Sequence, residues 1–219
     1  MPLALVTGAS RGLGLAIAAE FSVQGWRVLA PSRDELDLSD GDAIRRWCTA
    51  LGAEKIDALV HSAGVNRPRA LAEITDEIWA DSFQVNLTAL RQLAQGIAPR
   101  MTGGGRIVAM SSIFGIVSRP GRATYSATKA AVNGFIRALA VELGPQGILA
   151  NALCPGYVLT DMTRQNNTPE QLDEIAGTIP LRRIGTPQEI ARLAVWLCSE
   201  QNTYLTGQAV VCDGGQTCL

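Results

Sequence analysis

Leu3-Ala4-Leu5-Val6-Thr7 runs directly into Gly8-Ala9-Ser10-Arg11-Gly12-Leu13-Gly14, and an amphipathic stretch from Leu15 to Gln24 follows at once. A short, continuous apolar run reads as a buried strand. A glycine-rich turn that opens a helix lets backbone N–H groups come close to a phosphate. The spacing is Gly-x-x-x-Gly-x-Gly. Few other features constrain the fold as strongly. A strand buried on both faces needs helices on both faces, and helical crossovers supply them.

The rest of the chain repeats this alternation. Further strands are predicted at Arg27 to Ser32, Glu35 to Leu38, Ile56 to His61, Arg106 to Ser112, Ile148 to Leu153 and Gln208 to Cys212. Helical patterns fill Gly41 to Leu51, Thr75 to Met101, Ala123 to Leu143 and Thr186 to Leu197. The expectation is an α/β, doubly wound seven-stranded parallel sheet of the Rossmann type, in one domain over residues 1–219. A parallel crossover takes about a dozen residues or more. The passage from the second strand to Glu35 is far shorter, so the helix between strands two and three is missing in this reading. The adenosine side of a nucleotide site would then be more open.

Composition narrows the class. Of 219 residues, 47% are apolar and 18% charged, and the net charge is -1. That describes an ordinary globular chain. With no basic run, a nucleic acid is not expected as a partner. Five scattered cysteines form no C-x-x-C pair, so neither a disulfide framework nor a zinc site is suggested. They suit a reducing compartment. No apolar run reaches the length of a membrane span, and the start lacks a basic leader. A cytoplasmic protein with no membrane partner is expected. His61 is the only histidine. It has no ligand partner at metal spacing, so no metal is expected, and it reads as a packed residue at a strand end.

In a parallel sheet, ligands gather beyond the carboxyl ends of the strands. Ser32 and Arg33 follow the second strand, where a carboxylate would bond the ribose of NAD. A hydroxyl and a guanidinium there, with Arg11 in the glycine turn, suit a 2'-phosphate, so NADP is favoured over NAD. Asp34 is a competing partner for Arg33. Tyr125 and Lys129 lie four apart on one helix face. A cation so close favours the phenolate, and such a Tyr can exchange a proton with an alcohol or carbonyl oxygen. Asn86 falls mid-helix, a poor position for Asn unless it faces solvent or does a specific job. The segment from Tyr157 to Pro180, with a short helical pattern at Pro169 to Ala176, is a lid candidate.

The order and spacing of these pieces closely resemble the short-chain dehydrogenase/reductase family over nearly the whole chain. The matches are Thr7-Gly8-x-x-x-Gly12-x-Gly14, Asp37-Leu38, Ser62-Ala63-Gly64, Asn86, Ser112, Tyr125-x-x-x-Lys129, Pro155-Gly156-x-x-x-Thr160 and Asp213-Gly214-Gly215. Ser112 lies thirteen residues before Tyr125, the family's spacing for its serine, which selects it over Ser111. The resemblance implies that Tyr125 is the acid/base, that Lys129 lowers its pKa and bonds the nicotinamide ribose, and that Ser112 holds the substrate oxygen. Asn86 would open its helix locally and fix a relay water. Gly8, Ser10, Arg11, Gly12, Leu13 and Gly14 would cradle the pyrophosphate. Ser32, Arg33, Asp37, Leu38, Ser62, Ala63 and Gly64 would meet the adenosine. Pro155, Gly156, Val158 and Thr160 would hold the nicotinamide end. His61 and Ser62 depart from the family's usual Asn-Asn.

Within the family the chain looks most like the 3-oxoacyl-carrier-protein reductases, which implies an NADPH-dependent carbonyl reductase acting on a small-molecule ketone or alcohol. Arg100 is the one basic residue placed to dock an acyl carrier. A polyol or sugar-acid dehydrogenase is the second reading, with Arg67 and Arg119 meeting an anionic substrate. A silent NADP-binding regulator should have lost Ser112, Tyr125 or Lys129, and this chain keeps all three. The resemblance also implies a homotetramer; Val132, Phe135, Ile136 and Leu139 fit a buried helix face, which an interface or the chain's own core would explain equally well.

Overall fold

A computed structural model describes residues 1–165 and 167–218. The described strands are β1 (Leu3–Thr7), β2 (Arg27–Leu29), β3 (Ala58–His61), β4 (Gly105–Met110), β5 (Ile148–Pro155) and β6 (Ala209–Cys212). All pair in parallel, in the order β2-β1-β3-β4-β5-β6. Successive strand residues point to opposite faces. Leu3 and Leu5 therefore enter one core, and Ala4 and Val6 the other. The first core is closed by α2 (Gly41–Ala50), α4 (Ala89–Ile97) and α5 (Ala123–Leu143), the second by α1 (Gly12–Val23) and α8 (Pro187–Cys198). Both faces are covered, which is why the central strands read as unbroken apolar runs.

The fold class is as expected, but the sheet has six strands among the described residues, not seven. Glu35 to Leu38 is not a strand. The chain turns there, with the Leu36 N–H donating to the Ser32 carbonyl at 3.0 Å. Five residues lie between Leu29 and Glu35, too few to carry a parallel crossover, so strand and helix are absent together. The apparent alternation of Leu36 and Leu38 arises because both side chains pack onto the first core from a loop. The sheet thus ends at β2.

The expected long helix from Thr75 to Met101 is interrupted. It runs as α3 (Asp76–Phe83), capped by Thr75, then a π-turn at Gln84–Thr88, then α4. The Ala89 N–H bonds the Gln84 carbonyl. In an α-helix it would bond Val85, so the Val85 carbonyl loses its helical donor. His61 supplies one: its Nε2 lies 3.2 Å from Val85 O, and its Nδ1 lies 3.1 Å from Thr7 Oγ1. A carbonyl only accepts, so Nε2 carries the proton and Nδ1 accepts from the threonine. The stretch read as a lid candidate contains α6 (Asp161–Gln165) and α7 (Pro169–Thr178).

Of the two readings of the apolar face on α5, the chain's own core is the one observed. Val132, Ile136 and Leu139 are buried in the first core of the chain itself, and Phe135 packs against that core. Val141, 81% exposed, is the large apolar side chain that α5 presents outward.

His61 is fully buried, and burial, with Lys129 adding repulsion, pulls its pKa from 6.5 to about 3. The unfolded chain therefore takes up a proton below about pH 6.5 that the folded chain refuses. This contribution to stability is complete above that pH and falls as pH drops toward 3, by up to about 1.4 kcal/mol per unit. Denaturant titrations at pH 7.5, 6.0 and 5.0 should show His61→Asn, which keeps a donor and an acceptor without titrating, losing stability less steeply with acid than the native chain. Parallel slopes would refute this.

Candidate active site

The carboxyl ends of β1 and β3 meet the start of α1 so closely that side chains are excluded. Gly8 has a φ of +68°, and a Cβ there would lie 2.7 Å from Ala63 Cα. A Cβ on Gly14 would lie 2.2 Å from the Gly8 carbonyl. Arg11 holds the N-cap position of α1 with no side-chain cap bond, so the first N–H groups and the positive helix end remain for an anion. Gly12 sets the turn against Thr160, whose Cβ is 3.8 Å from a Cβ built on it. This cradle fits a pyrophosphate, and Ser10, Arg11 and Leu13 complete it.

The adenosine-side residues are less uniform. Ser32 follows β2, but its N–H donates to Glu35 Oε2 at 2.7 Å, a contact that sequence reading missed. Arg33 pairs at 3.9 Å with Asp37 rather than with Asp34, both side chains being exposed. Asp37 also accepts from the Ser39 N–H at 2.9 Å and hydroxyl at 2.7 Å. The Leu38 carbonyl accepts from Gln84 at 3.0 Å. Ser62, Ala63 and Gly64 follow β3 directly, with the Ala63 N–H donating to Thr7 Oγ1 at 3.4 Å.

Helix α5 carries Tyr125 and Lys129 one turn apart. Lys129 is 3% exposed, and its Nζ donates to the Met110 carbonyl at 2.6 Å while standing 5.5 Å from the Tyr125 ring centre. Burial pulls the amine from 10.5 down to about 8. Gly64 makes the approach feasible, since a Cβ there would sit 3.5 Å from Lys129 Nζ and 3.2 Å from Asn86 Oδ1. Asn86 is fully buried and does not face solvent. Its amide clamps Val65 from both sides, accepting from its N–H at 2.8 Å and donating to its carbonyl at 3.0 Å. It also donates to Thr128 Oγ1 at 3.0 Å, and Thr128 in turn donates to the Tyr125 carbonyl at 2.8 Å.

The expected lowering of the Tyr125 pKa by Lys129 is not what the structure shows. Burial around the hydroxyl raises it, against a hydrogen bond from Ser112 and the charge of Arg122, which pull it down. The two serines also differ. Ser111 Oγ donates to the Lys129 carbonyl at 3.1 Å, whereas Ser112 Oγ accepts from the Phe114 N–H at 3.1 Å.

Leu13, Ser112, Tyr125, Pro155, Gly156, Val158 and Thr160 line one cavity of about 140 Å³. Ser32, Arg33, Asp37 and Leu38 lie away from it. Asn66, Phe114 and Arg122 line it too, and sequence reading did not single them out. Arg122 had a signal: it precedes Tyr125 by three residues, the spacing of one helix face. Among the described residues, no group of three His, Cys, Asp or Glu side chains is arranged to hold a metal. No helix among them is long and apolar enough to cross a membrane.

The model of a family described as enoyl-(acyl carrier protein) reductase matches residues 34–217. FabG, the 3-oxoacyl-[acyl-carrier-protein] reductase of Escherichia coli, is 33% identical over 97% of this chain and 96% of its own length. Oxidoreductase UcpA of Salmonella typhimurium is 38% identical over 98% and 94%. A structure assigned as an NAD(P)-dependent gluconate 5-dehydrogenase from Beutenbergia cavernae, with bound NADP at low occupancy, is 33% identical. It superposes with a TM-score of 0.94 over 100% of this chain and 97% of its own. Matches this long, at this identity, span the glycine cradle and the Tyr125 helix together, and so the chain belongs to the short-chain dehydrogenase/reductase family of NAD(P)-dependent oxidoreductases.

Proposed function

We propose that the protein interconverts a ketone and a secondary alcohol with NADP(H), and that Tyr125 exchanges the proton with the reacting oxygen. The observation that carries this is the convergence of Tyr125 and Ser112 on one small cavity, with the buried Lys129 amine 5.5 Å from the Tyr125 ring. A bound nicotinamide supplies the hydride. Ser112 holds the substrate oxygen against Tyr125. A tyrosine is protonated at neutral pH, so Tyr125 is poised as a proton donor, the role that carbonyl reduction requires. Asn86 and Thr128 position the turn of α5 that carries it, and Lys129 bonds the ribose of the bound cofactor. The glycine cradle holds the pyrophosphate, with Ser62 to Gly64 behind the adenosine ribose and Val158 and Thr160 on the carboxamide.

The FabG relatives support a 3-oxoacyl substrate. Docking of an acyl carrier through Arg100 has no support, because Arg100 is spent on the carbonyls of Gly52, Gly96 and Cys48. The sugar-acid reading draws on Arg119, whose guanidinium lies 5.6 Å from the Phe114 ring and 5.5 Å from the Tyr157 ring. It does not draw on Arg67, which pairs with Asp81 at 2.6 Å. We read the protein as a cytoplasmic homotetramer. Sedimentation equilibrium tests the assembly, and a monomer at micromolar concentration would refute it.

Tyr125→Phe should lower ketone reduction by about 10²–10⁴-fold and leave the dissociation constant for NADPH within about threefold, by steady-state kinetics and fluorescence titration. Near-native turnover in the Phe variant would remove Tyr125 from the chemistry.

For the cofactor, Arg11 and Arg33 favour a 2'-phosphate while Glu35 opposes one. Arg33→Ala should lower the preference for NADPH over NADH by about three- to tenfold, in line with a charged hydrogen bond at an exposed site, and Glu35→Gln should raise it. A ratio of kcat/KM values unmoved by both substitutions would place NADP selection elsewhere.

A further inference from the structure

Arg122 is a charge in the wrong place for stability. The residue is 8% exposed, and its guanidinium opens on the cavity that Tyr125 and Ser112 line. It makes one hydrogen bond, to Asn66 Oδ1 at 2.8 Å, and lies 5.7 Å from the Phe114 ring centre. Both partners are neutral. Among the described residues, no carboxylate forms an ion pair with Arg122 or with its neighbour Arg119. Buried charges are normally paired, because leaving water without a counter-charge is costly.

The position makes the cost larger. Arg122 is the N-cap of the 21-residue helix α5, whose first turn holds no acidic residue. A helix N-terminus disfavours a cation and favours an anion. Burial, and the charge of Arg119 beside it, push the guanidinium below its ordinary value. A ring contact and one amide bond use little of a side chain with five N–H donors. The remaining donors suit an anion, and a planar carboxylate matches the guanidinium fork.

We propose that Arg122 binds a carboxylate on the substrate, so that the protein acts on small oxo acids and the matching hydroxy acids. The proposal rests on Tyr125 as the proton-exchanging group. Arg122 and Tyr125 are three residues apart on one helix, about 4.5 Å along its axis, so the carboxylate lies only a few bonds from the carbonyl being reduced. The cavity of about 140 Å³ falls below the range of about 300–1,000 Å³ that takes drug-sized ligands, which suits a short acid. A substrate esterified to a carrier has no free carboxylate at that distance. The 3-oxo acid acetoacetate and its neutral ethyl ester therefore separate this reading from a carrier-bound one.

Two measurements test it. The first is binding of butanoate, which has no carbonyl to reduce, against neutral butanamide, followed by ligand-observed NMR. Butanoate should bind the native protein more weakly as salt rises. Its affinity should fall about tenfold or more in Arg122→Met, as expected for loss of a charge-assisted bond. It should fall less in Arg122→Lys, and butanamide should follow none of these changes. Equal binding of acid and amide, or a Met variant that binds butanoate as the native protein does, overturns the proposal whether or not any ketone is turned over. The second is the ratio of kcat/KM for acetoacetate over ethyl acetoacetate with NADPH. It should favour the acid in the native protein, collapse in Arg122→Met and recover in part in Arg122→Lys. A ratio indifferent to residue 122 overturns the proposal. Carboxylate binding through Arg122 with no reduction of any ketone would instead defeat the catalytic assignment of Tyr125.

Discussion

One carbonyl without a helical partner organises much of this molecule. The π-turn at Gln84–Thr88 releases the oxygen of Val85, and a buried carbonyl left unbonded is expensive. His61 meets that oxygen from the end of β3, while Thr7 on the neighbouring strand meets the other ring nitrogen. The same turn swings Asn86 inward, where it clamps Val65 and reaches Thr128 on α5. Sheet, π-turn and α5 are thereby fastened in one chain of bonds. The register of Tyr125 relative to the sheet follows from it.

Lys129 shows how the fold holds an unfavourable group. Moving the amine from 10.5 to about 8 disfavours its charged form by about 3 kcal/mol. The compensation comes from the two apolar layers. On the inner face of α5, Val132 and Ile136 are sealed against β4 and β5, which leaves the helix little freedom to withdraw its lysine. The Met110 carbonyl, at the end of β4, gives the ammonium one strong acceptor. A mobile polar residue is thus pinned by packing that has no polar character of its own.

Much of this was legible in the sequence. Glycine spacing, the Tyr125–Lys129 interval and the alternation of strands and helices each rest on local geometry, so they survive translation into structure. The failures have a common cause. Glu35 to Leu38 looked like a strand because two leucines alternate, yet loops also bury leucines. The pattern on α5 left interface and core open, because periodicity does not say what covers a helix face. The Tyr125 pKa was expected to fall because spacing reveals a neighbour but not the water that both groups lose. Arg122 escaped notice because an unpaired charge is visible only when every candidate partner has been placed elsewhere.

The end of the sheet at β2 has a consequence for life in concentrated solution. Removing a strand and its helix exposes a new edge, and a free parallel edge is a template for pairing with other chains. This edge offers very little. It is three residues long, opens on Arg27, which is held in an ion pair with Glu54, and gives way within two residues to Pro31, which has no N–H to donate. Shortening the fold moved its boundary inward, and the new boundary carries charge and proline where an incoming strand would need donors.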